Sequence, residues 1–192
     1  MNAFNDDVSP LPILISGDPR LRERSREFGA IDPDFKSRAS RLIATLRDFR
    51  ERSGFGRAIS APQVGWMERV VAVNLGAEPF VLVNPEITWR SEDTFLVWDD
   101  CLSVPGVIVR VRRHAAISLT FRDHEFKERR WERLPADLSE LVQHELDHLN
   151  GVLMTDLAEG ANAIQPLSRW SELVGPSRPN TRVSLDDLPL RH

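Results

Sequence analysis

The 192-residue chain has one cysteine, no tyrosine and no long apolar run. A single cysteine excludes an intrachain disulfide framework. No stretch approaches the ~18–20 apolar residues of a membrane helix. Met1 to Ser9 is polar and slightly acidic, without the basic-then-apolar order of a secretory signal. A net charge of −4 is too small to argue for a nucleic acid or an anionic membrane surface. The missing tyrosine excludes nothing. These shortages lead to the expectation of a soluble cytoplasmic protein with no direct nucleic-acid partner and no membrane partner. One dense basic run, Arg110, Arg112 and Arg113, is followed by Asp123, Glu125 and Glu128, and reads as a solvated face.

The hydrophobic fraction of 41% is ordinary for a globular chain. The length suits one domain with a full core. Residues 1–10 read as a flexible arm, 11–158 as the main folded domain, and 159–192 as a C-terminal extension, partly mobile. Phe35, Ala39, Leu42, Leu46 and Phe49 recur at helical spacing and predict a helix over 34–52, ended by Ser53-Gly54-Phe55-Gly56. Short runs rich in Val, Ile and aromatics over 69–75, 80–84, 94–98, 108–113 and 116–121 predict strands of a largely antiparallel sheet. A last helix is predicted over 138–150, with Asp137 or Ser139 as its cap and Gly151 at its end. Helices lying outside the strand block predict an α+β fold.

The most informative segment is Gln143-His144-Glu145-Leu146-Asp147-His148. Positions i and i+4 share a helix face, so two imidazoles can reach one metal ion. Leu138, Leu141, Val142, Glu145 and Leu149 flank the two histidines around the helix, while Ser139, Glu140, Gln143 and Asp147 occupy the opposite arc. Asp147 reads either as a plain surface carboxylate or as a group that orients its neighbours. Ionisable groups on the buried side are costly unless a metal or partners satisfy them. Two satisfied core histidines are the plainer alternative. A third ligand is required, and Glu159, Glu172 and His192 lie downstream in weakly patterned sequence. Cys101, between two predicted strands, is the better candidate, although a lone cysteine is also commonly a small buried hydrophobe. Three protein ligands leave a position open, as catalytic sites do.

The chain resembles the peptide deformylase family in three ordered motifs. They are Gly56-Arg57-Ala58-Ile59-Ser60-Ala61-Pro62-Gln63-Val64-Gly65, Cys101-Leu102-Ser103-Val104-Pro105-Gly106, and Gln143 through Gly151. Weaker similarity covers Asp18-Pro19-Arg20-Leu21-Arg22 and Asn84-Pro85, so the resemblance spans roughly 11–157. The resemblance implies an α+β fold with antiparallel sheets around a central metal-binding helix. It implies removal of formate from N-formyl-methionyl peptides, with an N-formylated peptide or nascent chain as partner and the ribosome as a setting. The implied metal ligands are Cys101, His144 and His148. The implied ion is a single divalent metal, Fe2+, with Zn2+ or Ni2+ able to take its place. Glu145 is implied as the proton-transfer group, with the Leu102 N–H and the Gln63 side chain as donors to the formyl oxygen. Gly56, Ala58, Asp99 and Leu141 are the expected substrate contacts, and a monomer is expected.

Three positions depart from the family pattern. Ala58 stands where a second glycine is typical, Asp100 where glycine precedes the cysteine, and Ile108 where many members carry a peptide-holding arginine. Ser60 is also unusual. These changes leave the metal and base intact and alter the substrate surroundings. A deformylase-like amidase for another N-acyl substrate, a non-catalytic metal-binding relative and a cysteine hydrolase using Cys101 are the competing readings.

Overall fold

The computed structural model describes residues 4–5, 7–30 and 32–175. In chain order they form α1 (Phe35–Ser53), β1 (Ala58–Ser60), β2 (Val70–Val73), β3 (Phe80–Arg90), β4 (Thr94–Asp99), β5 (Val107–His114), β6 (Ile117–Arg122), β7 (Glu128–Leu134), α2 (Ala136–Leu149), β8 (Ile164–Pro166) and α3 (Trp170–Leu173), with short 3-10 turns between. One antiparallel sheet has the order β1-β2-β3-β6-β7, and a smaller one the order β4-β5-β8.

The period of two along a strand decides the layering. Val70, Ala72, Val81 and Val83 pack against Phe35, Ala39, Leu42, Ile43 and Leu46 of α1. Val71, Val73 and Leu82 turn the other way, onto Leu138, Leu141, Val142, Leu146 and Leu149 of α2. A third cluster, with Cys101, Val109 and Val111 at its centre, lies beside the small sheet. α2 also contacts β5, so it runs between the two sheets. The α+β arrangement with a central helix is the one expected.

Several local expectations are corrected. β3 continues past Asn84-Pro85, because a register shift between Val83 and Glu86 absorbs the proline and puts Asn84 at φ 50°. β7 carries mostly charged residues and was not foreseen; only Trp131 and Leu134 mark its buried face. α2 starts at Ala136 after Pro135, and neither Asp137 nor Ser139 caps it; the Ser139 hydroxyl donates instead to the His114 carbonyl at 2.8 Å. Of the residues assigned to the arc of α2 opposite the histidines, Ser139 and Gln143 are buried against protein, while Glu140, one turn before His144, lies on the edge of the histidines and lines the same cleft. Arg113 is buried too, not part of a solvated face. Its place in β5, two residues after Val111, puts it on the core side of the strand.

At the N-terminus, Phe4 is buried in the α1 layer and the Asn5 N–H donates to Ser40 Oγ at 3.0 Å, so this part of the arm is docked. Past residue 158 the fold continues, since β8 pairs with Val107–Val109. The expected mobile tail after residue 175, and His192 with it, lie outside the described residues. Gly151 closes α2 at φ 74°, and any side chain there would overlap the Arg22 carbonyl.

The β6–β7 turn is held by one carboxylate. Asp123 Oδ1 accepts from the Glu125 and Lys127 N–H groups at 2.9 and 3.1 Å, and Oδ2 accepts from Arg129 at 2.7 Å. Burial raises its carboxyl pKa, but these donors outweigh that and hold it below the ordinary 3.8. A depressed folded value means stability that is present above 3.8 and is lost as pH falls below it. Asp123→Asn should therefore cost about 1–3 kcal/mol at neutral pH. Urea melts at neutral and acidic pH check this, and the gap to wild type should narrow in the acidic set.

Candidate metal centre

α2 places His144 and His148 one turn apart on the side facing the β4–β5 loop, and that loop brings in Cys101. The candidate donor atoms of Cys101, His144 and His148 all lie within 4.8 Å of one another, and all three residues are buried. Cys101 Sγ is 3.1 Å from His148 Nε2. Glu159 and Glu172 are spent on Arg112 and Arg169, which leaves Cys101 as the third member of the set.

Two of the three candidate ligands, His144 and Cys101, are secured by hydrogen bonds. His144 Nδ1 bonds Asp99 Oδ2 at 2.9 Å, which leaves Nε2 for an ion. Asp99 is in turn held by Arg113 at 2.8 Å, and Arg113 also pairs with Asp147. Asp147 thus orients a neighbour rather than facing solvent alone. Cys101 Sγ accepts from the Ser103 N–H at 3.4 Å and lies 3.8 Å from Gln63 Nε2. His148 Nδ1 is buried without a hydrogen-bond partner among the described residues.

Electrostatics fit the same purpose. Burial raises the Asp99 carboxyl, but His144 and Arg113 overcome it and hold the group at about 2. Burial lowers His144, yet Asp99 and Cys101 overcome that and hold its pKa well above the ordinary value, so positive charge is favoured between these groups. Burial and the neighbouring His144 keep His148 well below the ordinary value, in the neutral form that ligates. A thiolate and two imidazoles fit a divalent transition-metal ion.

Glu145 is buried beside this set. Burial raises its carboxyl pKa, opposed by His144 and by Ser60. Ser60 Oγ lies 2.5 Å from Glu145 Oε2, and the Ser60 N–H donates to Gln63 Oε1 at 2.8 Å. The Gln63 amide nitrogen then reaches Ser103 Oγ at 3.1 Å. The Leu102 N–H meets no acceptor among the described residues.

A cleft of about 670 Å³ opens over the centre. Gly56, Ala58, Asp99, Leu102, Leu141, His144 and Glu145 line it, together with Arg57, Trp98, Asp100, Glu140 and Trp170. Of the four expected substrate contacts, Asp99 has its Oδ2 taken by His144 and Arg113 and acts on the ligand sphere. Ala58 sits in a regular strand opposite Val73 without a positive φ, so no glycine is needed there. Gly56 is the demanding position, at φ 119° with Phe49 3.3 Å from where a Cβ would stand. Asp100 also has no left-handed backbone. Ile108 is fully buried and does not line the cleft.

Arg113, Ser103 and the Ser60 contact to Glu145 belong to the site without having been expected there. Strand parity with Val109 and Val111 was the available signal for Arg113. No local pattern marks the two serines, whose partners come from distant segments.

A family model for polypeptide deformylase matches residues 10–163. The chain belongs to the polypeptide deformylase family. A peptide deformylase of a Synechococcus species is 36% identical over 166 residues, covering 83% of this chain and 79% of that protein. The solved peptide deformylase of Thermotoga maritima aligns with TM-score 0.73 at 30% identity, over 80% of this chain and 100% of the other. That of Synechococcus elongatus, solved in complex with actinonin, aligns with TM-score 0.74 at 28% identity over 92% of each chain. The deformylase family is metal-dependent, and the Cys101–His144–His148 set meets that requirement.

Asp99→Asn keeps the side-chain shape but loses the charge that fixes His144. It should weaken metal retention about 10–100-fold. Competition against a graded series of chelators measures this, and an unchanged retention curve would remove Asp99 from the ligand sphere.

Proposed function

We propose that this chain removes the formyl group from N-formyl-methionyl peptides, with Cys101, His144 and His148 holding the metal and Glu145 moving the proton. The observation that carries this reading is the buried carboxylate of Glu145 beside a three-ligand set under an open cleft. When bound, a divalent ion supplies Lewis acidity toward a carbonyl oxygen and acidifies water. The residues do the rest. The Glu145 carboxylate takes the proton from the attacking water and delivers it to the leaving amine nitrogen. The Leu102 N–H and the Gln63 amide meet the negative charge that develops on the formyl oxygen. The Ser60 hydroxyl holds one oxygen of Glu145, so that the carboxylate keeps its aim through both transfers.

Fe2+ is proposed as the native ion because the family resemblance implies it, and the donor set of one thiolate and two imidazoles also accepts Zn2+ and Ni2+. The proposed setting is the cytoplasm, where a monomer meets formylated nascent chains at the ribosome. No helix among the described residues is long and apolar enough to cross a membrane.

Formate release from formyl-Met-Ala tests the reading directly. Protein loaded with Fe2+ or Ni2+ should release formate, lose the activity to a chelator and regain it on reloading. Glu145→Gln should keep its metal and lose about 10²–10⁴ in kcat. Activity that survives metal removal would point to a Cys101 nucleophile, and loaded protein without turnover on this peptide would leave an amidase for another N-acyl substrate or a binding role.

A further inference from the structure

The cleft wall is not uniform. Ala58, Leu102 and Leu141 make it apolar near the ligands, but an ion pair interrupts it. Arg57, just before β1, reaches across to α2. Its Nη2 bonds the Glu140 carboxylate, and its Nη1 donates to the Asp137 carbonyl at 3.0 Å. The side chains of Arg57 and Glu140 are only 25% and 11% exposed, so the pair is largely desolvated. Glu140 precedes His144 by one helical turn and lies along the same edge of α2. Arg57 is the immediate neighbour of Ala58. A peptide whose formyl group sits at His144 and Glu145 therefore has its first side chain within about one turn of this pair.

Those two bonds leave further guanidinium N–H groups, since arginine has five donors. A purely apolar pocket rejects an amide by leaving it unpaired. This wall has the opposite bias: an alkyl tip covers a charged pair and returns no hydrogen bond, whereas an amide can accept from Arg57 and donate to Glu140.

We propose that the Arg57–Glu140 pair determines specificity for the first residue of the substrate, admitting side chains with an apolar stem and a hydrogen-bonding end, glutamine in particular, alongside methionine. The proposal rests on the deformylase reading above. It assigns the pair a role in selection, not in the chemical step.

Glutamine and norleucine have similar length and differ at the tip, so formyl-Gln-Ala and formyl-norleucine-Ala separate the two kinds of wall. Formyl-Met-Ala serves as the reference for the underlying activity. With metal-loaded wild type, kcat/KM for the glutamine peptide should fall within about tenfold of the norleucine peptide, where an apolar pocket would reject it by up to about 100-fold. Arg57→Leu/Glu140→Leu removes both charges together, which a fold tolerates better than removal of one. In that variant the glutamine-to-norleucine ratio should drop about 10–100-fold. A wild-type preference for norleucine beyond about tenfold overturns the proposal, as does an unmoved ratio in the folded, metal-bearing double variant. If the double variant does not fold, Arg57→Lys takes its place: it keeps the charge, loses the planar fork and must lower the ratio. Absence of turnover on formyl-Met-Ala by loaded wild type would instead defeat the deformylase reading itself.

Discussion

The Asp99 carboxylate stands where three parts of the molecule meet. It ends β4, two residues before Cys101, and it binds His144 of α2 and Arg113 of β5 through the same oxygen. Buried charge is tolerated only when it is paired and hydrogen-bonded. Here the pairing links the small sheet, the metal helix and the cysteine loop into one rigid unit. A shift of any one partner would strand a buried charge, so the ligand geometry inherits the stiffness of the core.

α2 shows the same constraint at larger scale. It lies between two sheets and yet carries polar or ionisable groups around its circumference. The His114 backbone answers Ser139 and Gln143, Arg57 answers Glu140, Arg113 answers Asp147, and Ser60 answers Glu145. With the rear of the helix satisfied, the front of His144 and Glu145 is left to the cleft. The division between a fixed back and an open front is what a hydrolytic centre requires, because ligands must stay still while substrate and water exchange.

The unusual positions of this chain fall into different roles once they are placed. Ala58 is an ordinary strand residue, and Ile108 is core. Ser60 bonds the Glu145 carboxylate, and the Arg57–Glu140 ion pair interrupts the apolar cleft wall. The candidate metal centre, on α2 and the β4–β5 loop, and the ion pair that crosses the cleft wall, between β1 and α2, are therefore built from separate residues. One can vary without dismantling the other.

Histidine spacing on α2, the period-two strands and the helical stripe of α1 were legible in the chain because each depends on neighbours a few residues apart. So were the family motifs that join Gln63, Cys101 and the histidines. What lay beyond reach were contacts between distant segments: Phe4 docked on the α1 layer, β8 added to the small sheet, and the burial of Ser139 and Gln143 on the polar arc of α2. Cys101 shows both sides. Its residue type and motif made it a candidate, but only folding brings its sulfur to within 3.1 Å of His148. The sequence by itself determined which groups were available for metal chemistry. Tertiary structure decided which of them are desolvated, paired and aimed, because burial and charge pairing are properties of the surroundings and not of the chain alone.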